Sequence, residues 1–226
     1  MPEFEIDNGL VLSSKPLGDK KFIVSLFTKE KGRHLGVVKK KSPPLTASLF
    51  TGRWQARLPE QMGSFYLEDE KSYHLSFLED RGRLNVISSV CFLLDHLLPE
   101  RESYPDFYDL TYHFLTTLED PDFQKRYIFW EVELLSALGF ALDLTKCAGG
   151  GDATDLAYVS PKTGRAVSRI LGEPYKDKLL PLPEFMYKEA VVDVDSLLKG
   201  LSLTGYFLLA HAGLKNLPVL RGQIIL

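Results

Sequence analysis

The spacing of apolar residues changes period once along this chain, near Gly82, and that change constrains the fold more than any other feature. Before it, apolar residues alternate with polar ones. Leu10, Leu12 and Ser14 alternate with Val11 and Ser13, and Phe22, Val24 and Leu26 with Ile23, Ser25 and Phe27. Successive side chains on a strand point to opposite faces, so these segments are predicted strands. The turn Lys29-Glu30-Lys31-Gly32 leads into Leu35-Gly36-Val37-Val38, the spacing of a hairpin with Gly32 where φ must be positive. The basic loop Lys39-Lys40-Lys41-Ser42-Pro43-Pro44 follows, and its prolines cannot donate to a ladder, so the strand ends before them. Residues 52–58 and 65–77 are two further candidate strands. Five short strands with one long basic loop suit a small β-barrel such as the OB-fold.

After Gly82, Leu84, Ile87, Cys91, Leu94 and Leu98 recur at intervals of three and four, one face of a helix. Residues 104–118 read as a second helix, which Pro121 separates from a third over residues 122–138. Trp130, Leu134, Leu135 and Leu138 share a face of the third, and Gly139 suits its C-cap. The aromatic residues here are assigned to the core rather than to a binding platform. Leu156-Ala157-Tyr158-Val159 and Arg165-Ala166-Val167-Ser168 flank the turn sequence Ser160-Pro161-Lys162-Thr163-Gly164, a short hairpin. The link Leu180-Pro181-Leu182-Pro183 then leads to a last helical region over residues 194–212. Strands followed by helices make the expected class α+β.

At 226 residues the chain has room for one large or two modest domains, and its 45% hydrophobic content suffices for a core. No apolar run approaches the roughly 20 residues that span a bilayer, and residues 1–10 are acidic rather than signal-like, so a cytoplasmic protein is expected. Cys91 and Cys147 could form one disulfide, but Cys91 lies on an apolar helix stripe, which favours two free thiols in a reducing compartment. The net charge of −3 conceals an asymmetry: residues 10–58 hold eleven Lys or Arg against Asp19 and Glu30, a net of +9, which leaves −12 for the remainder. A basic module joined to an acidic one points to a polyanion as partner of the first. Lysines that merely solvate strand edges and turns are the alternative.

No nucleophile elbow, P-loop, GxGxxG or HExxH is present. Gly149-Gly150-Gly151 follows a helix and precedes no GK[ST], so it reads as a loop. His34, His74, His96, His113 and His211 lack metal-ligand spacing, and Asp193 and Asp195 sit where helix capping explains them. No catalytic residue, metal ligand or cofactor is assigned, and an enzyme is the weaker class of reading.

Several ordered segments carry a resemblance. Gly9-Leu10-Val11-Leu12-Ser13-Ser14-Lys15-Pro16-Leu17-Gly18-Asp19-Lys20-Lys21 resembles the opening of the RecO recombination mediators. Thr28-Lys29-Glu30-Lys31-Gly32-Arg33 is similar to that family's first hairpin, and the segment from Val37 to Lys41 to its basic stretch. Trp130-Glu131-Val132-Glu133-Leu134-Leu135-Ser136-Ala137-Leu138-Gly139-Phe140 resembles its third helix, and Ser160-Pro161-Lys162-Thr163-Gly164 its later hairpin. No single motif is highly specific, but the ordered set spans almost the whole chain. The resemblance implies an OB-fold nucleic-acid-binding domain over residues 1–80 and an α-helical domain over 81–226, with a zinc-finger-like hairpin insertion at about 145–183. It also implies a non-enzymatic DNA repair and recombination protein of the cytoplasm and nucleoid. Such a protein binds single- and double-stranded DNA and anneals complementary strands. With RecR it promotes RecA loading on DNA coated by single-strand-binding protein.

Two departures from the family pattern stand out. Many members carry four cysteines around the hairpin. Here Cys147 matches the first, Gly150 takes the second place, and Ser168 and Leu171 fall near the other two, so no zinc site is expected. An arginine implicated in holding the acidic tail of single-strand-binding protein is replaced by Phe129, with Lys125 and Arg126 nearby as candidate substitutes. The residues expected to contact phosphate are Lys15, Lys20, Lys21, Arg33, Lys39, Lys40, Lys41 and Arg53. Phe22 and Phe27 lie an odd number of positions apart and face opposite sides of their strand, so at most one can serve as an exposed stacking surface. A protein-only adaptor, docking partners on its helical domain and using the lysines as solvated surface, is the alternative function.

Overall fold

The computed structural model describes residues 2–58, 60–72 and 74–225, without the side chains of Asp69 and His74. Tyr73, inside the predicted strand 65–77, and the imidazole of His74 therefore lie outside the described residues. Five strands, β1 (Glu3–Pro16), β2 (Lys21–Thr28), β3 (Gly32–Lys39), β4 (Ser48–Gln55) and β5 (Gly63–Ser72), close into a barrel in the order β1-β2-β3-β5-β4. Neighbours are antiparallel except β3 and β5, which run parallel and pair only at Gly36↔Gly63 and Val37↔Ser64. This is the OB-type barrel that the strand pattern predicts.

Strand β1 starts seven residues before the alternation at Leu10, because Phe4 and Ile6 already point inward between Glu3, Glu5 and Asp7. It can border both β2 and β4 because its register shifts between Ile6 and Gly9 on one side and between Val11 and Ser13 on the other. Such bulges bend a strand and raise its twist. Strand β4 likewise starts earlier than the predicted 52–58, burying Leu49 and Phe50. The interior is built by Ile6, Val11, Val24, Leu26, Val38, Phe50, Trp54 and Phe65, with Phe4, Phe22 and Leu67 packed against them.

The chain divides into two compact units, Met1–Leu118 with Pro218–Ile224, and Glu119–Leu217 with Ile225–Leu226. In the first, α1 (Arg81–Leu97) begins where the Asp80 carboxylate accepts from the Arg83 amide at 3.0 Å, and α2 (Pro105–Thr116) follows. Beyond the predicted stripe, α1 also buries Val86, Val90 and Leu93, because it packs on β1 and on the 3-10 turn Val219–Gln223. Phe27 points out of the barrel yet is wholly buried, its ring centre 5.3 Å from that of Tyr108 on α2.

The second unit holds α3 (Phe123–Ala137), β6 (Leu156–Val159), β7 (Ala166–Ser168), the single helical turn α4 (Arg169–Gly172), β8 (Leu180–Pro181) and α5 (Val194–Ala210). The three strands form a small sheet in the order β7-β6-β8. Helix α3 ends as expected: Gly139 adopts φ 87°, and the Gly139 and Phe140 amides donate to the Ser136 and Leu135 carbonyls at 2.9 and 2.8 Å. Trp130 is buried, and the Thr204 hydroxyl of α5 donates to the fully buried Glu131 carboxylate of α3. Asp193 caps α5 through a reciprocal pair of hydrogen bonds with Ser196, the role its position suggested.

Candidate nucleic-acid interface

Beyond their two residue pairs, β3 and β5 no longer pair with each other. A groove of about 530 Å³ lies there, walled by Lys21, Lys39 and Lys40 and by Tyr66 and Glu68. Lys21 and Lys39 are direct cross-strand partners, and the Lys40 amide donates to the Lys20 carbonyl at 3.2 Å. The β1–β2 turn and the basic loop after β3 are thereby tied side by side. Like charges placed opposite each other on a sheet cost stability, so this cluster is not one that folding favours. Lys40 is the most restrained member, with its ammonium 3.6 Å from Glu70 and 4.3 Å from the ring centre of Phe50. Lys15, Lys20, Lys21, Lys39 and Lys41 are exposed.

The two remaining candidates are placed differently. Arg53 is exposed on β4, where its guanidinium carbon lies 4.9 Å above the ring of its cross-strand partner Tyr66. Arg33 is largely buried at the other end of β3: its Nε donates to the Leu98 carbonyl at 2.8 Å, and its terminal nitrogens lie 3.6 Å from Asp95 and 3.8 Å from Glu100. It holds the barrel to the segment after α1 and stands apart from the lysine cluster. Phe27 lies beneath Tyr108 and is wholly buried, so it presents no free ring face, and Phe22 is partly buried against the barrel core. The exposed aromatic of the groove is Tyr66, 49% accessible. Alternation would have found it, since Phe65 and Leu67 point inward and Tyr66 must then point out.

In the second unit, Lys125 borders a groove of about 360 Å³ with Pro121, Val192 and Leu197, and Arg126 pairs with Asp120. Phe129 packs edge-on against Phe185, ring centres 6.1 Å apart.

The hairpin brings Cys147 against Ser168. Cys147 is buried; its sulfur accepts from the Ser168 amide at 3.2 Å, and its thiol hydrogen-bonds to the Ser168 hydroxyl at 3.5 Å. Burial pushes this thiol up, but the Ser168 hydroxyl and the amides of Ser168, Gly149 and Gly151 outweigh that and hold its pKa below the ordinary thiol value. A Cβ on Gly151 would lie 2.4 Å from the Ser168 hydroxyl and 3.0 Å from Leu171, so the space between the two loops is already filled. Among the described residues no three His, Cys, Asp or Glu side chains converge as a metal site. One thiol facing a hydroxyl and a leucine does not fit a structural Zn²⁺, which needs four ligands. The expected result is that a chelator leaves the melting temperature unchanged; about one Zn²⁺ per chain by elemental analysis would overturn this reading.

Comparison with known proteins bears directly on this geometry. Residues 1–66 match the family model for the recombination protein O N terminal domain, and residues 78–221 match that for its C terminal domain. The chain belongs to the RecO family. It is 41% identical to the DNA repair protein RecO of Rhodospirillum centenum, an alignment covering 91% of this chain and 85% of that one. It is 39% identical to RecO of Jannaschia sp., over 96% of this chain and 93% of that one. RecO of Rickettsia canadensis is also 39% identical, over 89% and 86%. The first RecO model covers most of the barrel, and the second starts before α1 and runs through α5. No helix among the described residues is long and apolar enough to cross a membrane.

Proposed function

We propose that this RecO-family protein binds single- and double-stranded DNA at the lysine-walled groove and anneals complementary strands. With RecR it promotes RecA loading on DNA coated by single-strand-binding protein, in the cytoplasm at the nucleoid. The observation that carries this is the gathering of Lys21, Lys39 and Lys40 at one groove, with Lys21 and Lys39 directly opposed and Lys20 tied to Lys40 through the backbone. Annealing needs no covalent step and no cofactor. Two strands repel through their phosphates, and cations that displace condensed counterions lower that repulsion. Lys15, Lys41 and Arg53 extend the field around the groove, whereas Arg33 is engaged by Leu98, Asp95 and Glu100 at the other end of β3. The division of labour follows residues 1–80 for DNA and 81–226 for partners, with the hairpin at 145–183 a packed, metal-free insertion. The acidic tail of single-strand-binding protein is taken up beside Lys125 and Arg126, where Lys125 lines a groove of mixed character with Pro121, Val192 and Leu197 and with Asp122 and Gln124.

The test compares two variants with the parent chain. Replacing Lys39, Lys40 and Lys41 by Ala weakens binding to unrelated strands about equally and makes the salt dependence shallower, by roughly 0.7 per lost single-strand contact. Lys39 and Lys41 account for most of the change, since Lys40 is already engaged by Glu70. An unchanged slope places the DNA elsewhere. Replacing Lys125 and Arg126 by Ala leaves binding to bare DNA intact and lowers annealing of strands coated by single-strand-binding protein. If annealing of coated strands survives, the tail docks on another surface.

A further inference from the structure

We propose that Tyr66 is a base-stacking platform that makes the groove selective for unpaired strands. This rests on the groove being the DNA site. Phe65 and Leu67 turn into the barrel core, which leaves Tyr66 on the outer face with half its surface open. A large aromatic side chain in that setting adds little to the core. One side of its ring carries the Arg53 guanidinium at 4.9 Å. That cation adds positive charge beside the ring without enclosing it, and Arg53 is itself exposed. Across the groove stand Lys21 and Lys39, while Glu68, two residues along the same face of β5 as Tyr66, repels phosphate. Phosphates are thus drawn to the lysine wall, and bases are left to turn toward Tyr66.

A base can stack on a side chain only when its own faces are free, and in a duplex they are covered by neighbouring pairs. The lysines therefore act on both forms of DNA, and Tyr66 on the single strand alone. An annealing protein needs such an asymmetry, because pairing withdraws the base from Tyr66 and weakens the hold on the product.

The experiment measures binding of the full-length protein to a fluorescein-labelled oligonucleotide strand, to the duplex of the same sequence, and to a strand with abasic sites. Tyr66→Ala should lose roughly 5- to 150-fold in affinity for the intact strand, the effect of one base–aromatic stack, with duplex affinity and salt slope unchanged. Tyr66→Phe should retain the parent's affinity, and the abasic strand should bind the parent and Tyr66→Ala alike. Four results overturn the proposal: undiminished strand affinity in Tyr66→Ala, an equal loss on strand and duplex, a loss in Tyr66→Phe as large as in Tyr66→Ala, or an abasic strand that still distinguishes the parent from Tyr66→Ala. If Tyr66→Ala fails while the lysine variant still lowers the salt slope, only the stacking role falls. An unchanged salt slope in the lysine variant removes the DNA site itself.

Discussion

Gly32→Ala is expected to destabilise the first unit by roughly 3 kcal/mol, among the largest effects of any single methyl addition in this protein. Gly32 adopts φ 67°, where a non-glycine residue already costs about 1–2 kcal/mol. The larger penalty is steric. A Cβ there would lie 1.8 Å from the Glu102 carbonyl oxygen and 2.5 Å from its carbon, and both are backbone atoms that cannot rotate aside. The segment cannot retreat freely either, since the Arg101 amide donates to the Arg33 carbonyl at 2.8 Å and Arg33 reaches Leu98, Asp95 and Glu100. Gly18 supplies the control: its φ is 68°, but a Cβ there meets nothing within 4 Å. Gly18→Ala should cost only the conformational part, about 1–2 kcal/mol. Urea unfolding of the two variants separates the contributions, and equal midpoints would mean that the contact with Glu102 is not rigid.

The second large effect is a loss of stability with acid, traceable to His34. Its ring is 7% exposed, with ring centres 4.8 Å from Phe4 and 5.3 Å from Trp54, and its Nδ1 is buried without a partner among the described residues. Burial lowers its pKa from 6.5 to about 4, and the nearby Arg101 charge adds to that. The folded state therefore refuses a proton that the unfolded state accepts. The stabilisation is complete above pH 6.5, declines as pH falls toward about 4, and changes no further below that. The full difference is about 3 kcal/mol. His34→Phe keeps an aromatic ring between Phe4 and Trp54 and removes the titration. Its unfolding free energy should decline less than the parent's between pH 7 and pH 4 by about that amount. Parallel profiles for the two proteins would show that His34 is not the group responsible.

The RecO resemblance, and the barrel and helices it implies, were legible in the chain because they rest on local physics. Alternation in Phe22–Phe27 and Leu35–Val38, the three-four spacing from Leu84 to Leu98, and turn chemistry at Gly32 and Gly139 each act over a few residues. The first residues of β1 keep the strand period through Phe4 and Ile6, but the intervening Glu3, Glu5 and Asp7 give the stretch an acidic rather than an apolar character. Charge asymmetry likewise pointed to a polyanion partner without showing where the cations would meet.

Which side chains share a place depended on strand pairing and on what covers each outer face, and neither is local. Register set Lys21 opposite Lys39 and Arg53 opposite Tyr66, pairs separated by 18 and 13 positions in the chain. Helix α2 covered Phe27 and took it out of contention as a stacking surface, while Tyr66 stays half exposed among the described residues. Segment 95–100 claimed Arg33, which composition alone grouped with the other cations. In the hairpin, Cys147 and Ser168 stand 21 positions apart, and only their convergence turned a missing metal site into a thiol–hydroxyl contact. Apolar spacing determined the kinds of element because one element buries one face. Long-range pairing decided the site, because there a few side chains from distant strands must stay at the surface together.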